Sequence, residues 1–315
     1  MKRKKKIKSG SAVKQVKDLG GKSPATPPGT KIIAFTNFKG GVGKTSCAVN
    51  VAGCLARQFK KKVLLIDLDV QSSLGQWLMG PEWWLNWSKH RAKTSYQIFL
   101  DVIQGSHAWS IQNSTTEHED CPRLSICPAT FEMLDLDNRL HYELDKPSHP
   151  KAFRCLDIII KAVCGQFDYV IIDCPPNLYL TAQNALFCAD HILIPTVPDF
   201  LSTAGLMRLV GHLKQLTDHF LLYDPTPAKI SGVIFNMYNS RKILMKDTIE
   251  EVEAYIQEQR HVNNIFSQNV FTKKVRYLNA VAEAQGRKLP VTVSDPTCEA
   301  SKDIISLTKK IEEGL

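Results

Sequence analysis

Phe38-Lys39-Gly40-Gly41-Val42-Gly43-Lys44-Thr45 follows an apolar run, Ile32-Ile33-Ala34-Phe35, and leads into a helix-compatible segment from Ser46 to Phe59. Strand, glycine-rich turn and helix in that order are the context a phosphate-binding loop requires. Glycines at 40, 41 and 43 open backbone conformations closed to bulkier residues. The N–H groups of Gly40 through Ser46, Val42 included, can then converge on phosphate oxygens at the positive end of the helix. Lys44 would place a cation on the β and γ phosphates, and the Thr45 hydroxyl would be a ligand for Mg²⁺. The common pattern G-x-x-x-x-G-K-[ST] fails at its first position, where Phe38 stands, and a second lysine, Lys39, lies near the start of the loop.

The acidic residues are spaced to meet that loop. Asp67 and Asp69 close the apolar run Val63-Leu64-Leu65-Ile66, and Asp173 closes Val170-Ile171-Ile172. In open parallel sheets ligands bind beyond the carboxyl ends of the strands, so carboxylates placed there share the crevice with the loop. Without the loop, the same residues would read as strand caps. Strand-like and helix-like runs alternate along 31–38, 44–59, 62–69, 153–164, 168–174, 191–197, 203–222, 230–237, 246–260 and 298–313. That alternation predicts an α/β fold: a doubly wound, mostly parallel sheet with helices on both faces, forming one domain over residues 31–315.

In family terms the chain resembles the ParA/MinD group of deviant Walker ATPases, and within it the short, Soj-like partition ATPases. The resemblance rests on Lys39–Thr45, Leu65-Ile66-Asp67-Leu68-Asp69-Val70-Gln71, Val170–Pro176, Ile194–Pro198 and Gly232–Asn236, five segments in the family's order. It implies that Lys39 is the signature lysine that reaches across a nucleotide-sandwich dimer, and that Asp69 orients the attacking water. It further implies that Asp173 holds Mg²⁺ through water with Asp67 beside it, and that Asn236 and Pro198 lie at the adenine. Lys39, Lys44 and Asp69 are thus the expected catalytic residues, with ATP and Mg²⁺ as cofactors. Val70 stands where the family usually has proline.

The resemblance also implies an ATP-dependent homodimer, binding to nonspecific DNA, and hydrolysis stimulated by a ParB-like adaptor. Arg241 and Arg276 occupy positions compatible with DNA contact, and the expected setting is cytoplasmic and nucleoid-associated. The cargo moved by such a device is not written in the residues. A MinD-like membrane ATPase is the alternative. A cluster-carrying relative would need a matched pair of cysteines, and Cys127 and Cys174 do not form an evident one. The tyrosine-phosphorylating relative would need a terminal Tyr cluster, which the chain lacks.

Charge is unevenly distributed. The formal net charge is +9, but residues 1–30 carry nine lysines and arginines against Asp18 alone, leaving about +1 for the rest. The tail is rich in Lys, Gly, Ser and Pro without apolar periodicity, which predicts disorder. Such an arm either binds phosphate backbones through counterion release or simply solubilises the chain. It is too short for the helix-turn-helix domain that larger plasmid partition ATPases carry. Nine cysteines without a C-x-x-C pair argue for a reducing compartment. No apolar run approaches membrane-spanning length, and the charged start has no apolar core behind it, so neither a spanning helix nor a signal peptide is expected.

Between about residues 80 and 122 periodicity is weak, and Trp77, Trp83, Trp84, Trp87 and Trp109 lie in or near this insertion. Ser95–Gln104, with Tyr96, Phe99, Leu100 and Ile103 at helical spacing, reads as a short helix that the tryptophans pack onto the body. A partner-facing aromatic surface is the other possibility. From Ser301 to Leu315, Ile304, Leu307 and Ile311 share one helical face, and Lys309 and Lys310 are offset by Glu312 and Glu313. A membrane-surface helix wants an excess of cations, so this segment reads as a packed terminal helix.

Overall fold

The apolar runs become strands because side chains on successive residues point to opposite faces, and here both faces are covered. In the computed structural model, residues 29–89, 94–105, 116–144, 151–276 and 279–315 are described. The strands are β1 (Lys31–Phe35), β2 (Val63–Asp67), β3 (Thr116–His118), β4 (Cys121–Cys127), β5 (Tyr169–Asp173), β6 (His191–Thr196), β7 (Lys229–Tyr238) and β8 (Phe266–Arg276). They form one sheet in the order β3-β4-β2-β5-β1-β6-β7-β8. Among the described residues, only the β3–β4 pairing is antiparallel. The doubly wound parallel α/β architecture expected from the alternation of runs is the one observed.

Two cores flank the sheet. One face, carrying Ile33, Phe35, Leu65 and Ile171, packs on α1 (Lys44–Arg57), α2 (Ser73–Met79) and the terminal helices. The other, carrying Ile32, Ala34, Ile66 and Ile172, is covered by the remaining larger helices. After α3 (Pro81–Lys89), these are α4 (Ser95–Ile103), α5 (Leu136–Leu144), α6 (Cys155–Val163), α7 (Leu180–Cys188), α8 (Phe200–Phe220) and α9 (Ile243–Val262). Then come α10 (Asn279–Gly286), α11 (Val291–Ser294) and α12 (Glu299–Gly314). Ile304, Leu307 and Ile311 of α12 are fully buried in the first core, as their spacing predicts. Among the described residues, no helix is long and apolar enough to cross a membrane.

Within the weakly periodic region, the described residues form regular elements. They include α3, α4, β3 and the start of β4, and α4 buries Tyr96, Ile98, Phe99 and Ile103. Two of the tryptophan side chains, Trp77 and Trp84, are described; those of Trp83 and Trp87 lie outside the described residues. Trp77 lies in the core on the opposite face of the sheet and donates to Leu289 O at 3.0 Å, while Trp84 stacks over Gly75 and donates to Ala129 O at 3.2 Å. Trp109 and nearly all of the basic tail, residues 1–30, lie outside the described residues.

Candidate functional site

Residues 36–43 leave β1 and turn directly into α1. The turn depends on Gly43, whose φ of 84° is left-handed and whose missing side chain leaves room for Asn236. A Cβ at 43 would lie 2.0 Å from Asn236 Nδ2. That amide donates to Val42 O at 3.0 Å, tying the loop to β7. Among the described residues, no side chain caps the start of α1. Its first-turn N–H groups are therefore left for a ligand, and Gly40 and Gly41 lie exposed above them. Thr45 and Ser46 are half-buried in that first turn.

Register brings the carboxylates to the same place. Asp67 and Asp173 are paired residues on adjacent parallel strands, and Phe35 of β1 is registered with Asp173 on its other side. Thr45 Oγ1 donates to Asp173 Oδ2 at 2.6 Å. Asp67 Oδ1 accepts from Asp69 N at 3.0 Å, and Asp69 Oδ1 accepts from Gln71 N at 3.0 Å, which fixes the loop beyond β2. Burial, reinforced by Asp173, raises the Asp67 carboxyl well above its ordinary range. Burial likewise pushes Asp173 up to about 7, although Thr45 and Lys44 oppose the shift.

Asp67 Oδ2 and Asp173 Oδ1 are buried without a hydrogen-bond partner among the described residues. Two orphaned carboxylate oxygens beside a threonine hydroxyl fit a hard divalent cation such as Mg²⁺, which takes oxygen donors and completes its shell with water and phosphate. Among the described residues no three acidic, histidine or cysteine side chains converge to hold a metal unaided. Such a cation would therefore depend on those added oxygens.

The two lysines are placed differently. Lys44 is buried, and its Nζ donates to Lys39 O at 3.2 Å across the top of the loop. Burial lowers its pKa, with Asp173 and Asp69 pulling the other way. The Lys39 side chain is directed out of the loop and half-exposed. Its Nζ donates to Asp199 Oδ2 at 2.8 Å and to Ser202 Oγ at 3.1 Å. Asp199 is also the N-cap of α8, accepting from Ser202 N at 2.8 Å. In the isolated subunit, Lys39 is thus held by α8 and not in its own phosphate cradle. Neither Asp199 nor Ser202 was expected at this site. The one local sign of them is an Asp-x-x-Ser start to a helix, a pattern that also occurs far from any site.

The remaining candidates divide. Asn236 lies against the loop, and Pro198 is buried one residue before Asp199. Arg241 is exposed in the turn between β7 and α9. Arg276, at the end of β8, is held by Asp303 through two hydrogen bonds of 2.8 Å and by Glu299 at 2.9 Å.

A family profile described as an AAA domain matches residues 30–223. The sporulation initiation inhibitor protein Soj of Bacillus subtilis is 30% identical over 281 residues, covering 89% of this chain and 98% of that protein. The chromosome-partitioning ATPase Soj of Treponema pallidum is 28% identical over 282 residues, with 89% and 96% covered. Among solved structures, an ATP complex of a Cyanothece McdA variant superposes with a TM-score of 0.69 at 17% identity, over 91% of this chain and 98% of that one. At that identity the likeness speaks for the fold alone. Profile, near full-length relatives, parallel sheet and two-lysine loop agree: the chain belongs to the ParA/MinD family of deviant Walker ATPases and is related to the Soj proteins.

Proposed function

We propose that residues 31–315 form an ATP-driven partition switch that closes as a two-fold dimer around ATP and binds DNA in that state. Gly40 to Ser46 and Lys44 grip the triphosphate. Thr45, Asp173 and Asp67 would hold Mg²⁺, which would supply charge neutralisation to the polyphosphate. Asp69 orients the attacking water, Lys39 crosses to the partner's nucleotide, and Asn236 and Pro198 border the base. With preformed donors aimed at the phosphates, the chain's contribution is positioning and charge stabilisation. Hydrolysis, accelerated by a ParB-like adaptor, returns monomers and serves as a timer for moving DNA or another cargo at the nucleoid.

The observation that carries this proposal is the separation of the two lysines. Lys44 is built into the loop, whereas Lys39 is tethered outside it by a surface ion pair that is cheap to break. On the DNA side, Arg241 stands exposed, and Arg276 would share its guanidinium between Asp303, Glu299 and phosphate. The basic tail supplies a second, sequence-independent contact. Against a membrane role stands α12, whose apolar face is spent on α1.

Co-sedimentation with plasmid and with anionic liposomes, in ATP and in ADP, tests the proposal. ATP-dependent, salt-sensitive retention on plasmid is expected. Retention on liposomes alone would favour the MinD-like alternative.

A further inference from the structure

Asn37 precedes the phosphate-binding motif and is buried at the end of β1. Its side chain is used at both ends: Nδ2 donates to Pro195 O at 2.7 Å, and Oδ1 accepts from Lys39 N at 3.0 Å. Pro195 lies in β6, on the segment that runs on to Asp199, the carboxylate holding the Lys39 amine. The carbonyl of Lys39 is fixed in turn by Lys44. Residue 39 is therefore clamped along its backbone while its side chain stays half-exposed and held only at the surface.

We infer that Asn37 is a positioning residue for Lys39: its amide fixes the direction in which that side chain leaves the loop, out of its own subunit and toward a partner's phosphates. The inference rests on the role proposed for Lys39 above. Only an amide fits the task. It offers a donor and an acceptor in one rigid plane, matching a carbonyl on one side and an N–H on the other. Aspartate keeps the acceptor for Lys39 N but turns an oxygen toward the Pro195 carbonyl. Alanine removes both bonds, the buried one to Pro195 O and the part-buried one from Lys39 N. The side-chain hydrogen bonds of Asn37 go to Pro195 O and Lys39 N and not to the carboxylates or the Thr45 hydroxyl, so its proposed influence on hydrolysis runs through Lys39.

A double-mutant cycle tests this. Asn37→Ala and Asn37→Asp are made in the wild-type chain and in Lys39→Ala. ATP turnover, ADP affinity by calorimetry, and dimerisation with a non-hydrolysable ATP analogue are measured on the full chain. In the wild-type background, Asn37→Ala should lower turnover and dimerisation by about tenfold or more with ADP affinity within about threefold, and Asn37→Asp should recover part of the loss. In Lys39→Ala neither substitution should change the residual turnover by more than about twofold. Equal losses in both backgrounds, or a parallel loss of ADP affinity, would mean that Asn37 merely holds the loop together and would overturn the inference. If Asn37→Ala fails to fold, the Asn37→Asp arm decides by the same criteria. Wild-type turnover and dimerisation in Lys39→Ala itself would sink the role of Lys39, and with it this inference, by a distinct signature.

Discussion

Replacing Asp199 by asparagine should tighten the ATP-dependent dimer. Asp199 caps α8 through Oδ1 and holds the Lys39 amine through Oδ2. Partial burial works against its ionisation, but hydrogen bonds from Lys39 and Ser202 keep the carboxyl below its ordinary range. The side chains are 44% and 40% exposed, so solvent screens the ion pair to about 0.2–1 kcal/mol. Asparagine is also a good N-cap, so Asp199→Asn removes the ion pair and keeps the helix start, whereas Asp199→Ala also loses the cap, about 1 kcal/mol.

Freeing one lysine by 0.2–1 kcal/mol raises its available fraction about 1.4- to 5-fold, and a two-fold dimer uses two, giving about 2- to 30-fold tighter association. Sedimentation velocity with a non-hydrolysable ATP analogue, across protein concentrations, reads this directly. The difference from wild type should shrink in high salt, where the ion pair is already weakened. A dimer of unchanged or lower affinity in Asp199→Asn would refute the idea that Asp199 restrains Lys39.

Three further outcomes follow from the same geometry. Gly43→Ala places a Cβ 2.0 Å from Asn236 Nδ2 at a φ of 84°, so it should lower the melting temperature and cut nucleotide affinity at least about tenfold, with about 1–2 kcal/mol from the left-handed backbone alone. Normal nucleotide titrations would contradict it. Asp173 binds its proton more tightly folded than unfolded, so in EDTA its contribution to stability is complete below pH 3.8 and is lost as pH rises through about 7. Asp173→Asn should flatten that part of a urea-unfolding series and abolish Mg²⁺-dependent ATP binding. His191 behaves oppositely, because burial, with Lys31 nearby, lowers its pKa from 6.5 to about 4. Its contribution is complete above pH 6.5 and is lost as pH falls toward 4, a slope that His191→Asn should remove from the same unfolding series.

The central strands were legible because both of their faces are buried: Ile32-Ile33-Ala34-Phe35 and Val170-Ile171-Ile172 admit no polar residue. Toward the edges that signal fades. Among the described strands β8 pairs on one side only and carries Lys273 and Lys274 in its second half, and β4 places Pro122 and Arg123 on exposed positions. Helix α3 opens on Pro81 and is crowded with tryptophan, which blurs any apolar stripe. At the site, the loop and the three aspartates could be read because each sits at the end of an apolar run. The clasp on Lys39 could not: Asp199 lies 160 residues away, and no local pattern announces a pairing that only the adjacency of β1 and β6 creates. The family resemblance places Asn236 at the nucleotide, but its bond to the loop at Val42 O, across 194 residues, follows from the order of the strands.

The sharpest test of two lysines serving one nucleotide from opposite subunits is complementation between Lys39→Ala and Asp69→Ala. Each homodimer lacks a component of both sites. A mixed dimer has one complete site, in which the Lys39→Ala subunit supplies Lys44 and Asp69 and its partner supplies Lys39. Mixing equal amounts of the two inactive proteins should restore about a quarter of the wild-type ATP turnover, since about half the dimers are mixed and each has one working site of two. Turnover that stays at the level of the separate variants would place Lys39 on its own subunit's phosphates and contradict the proposed dimer.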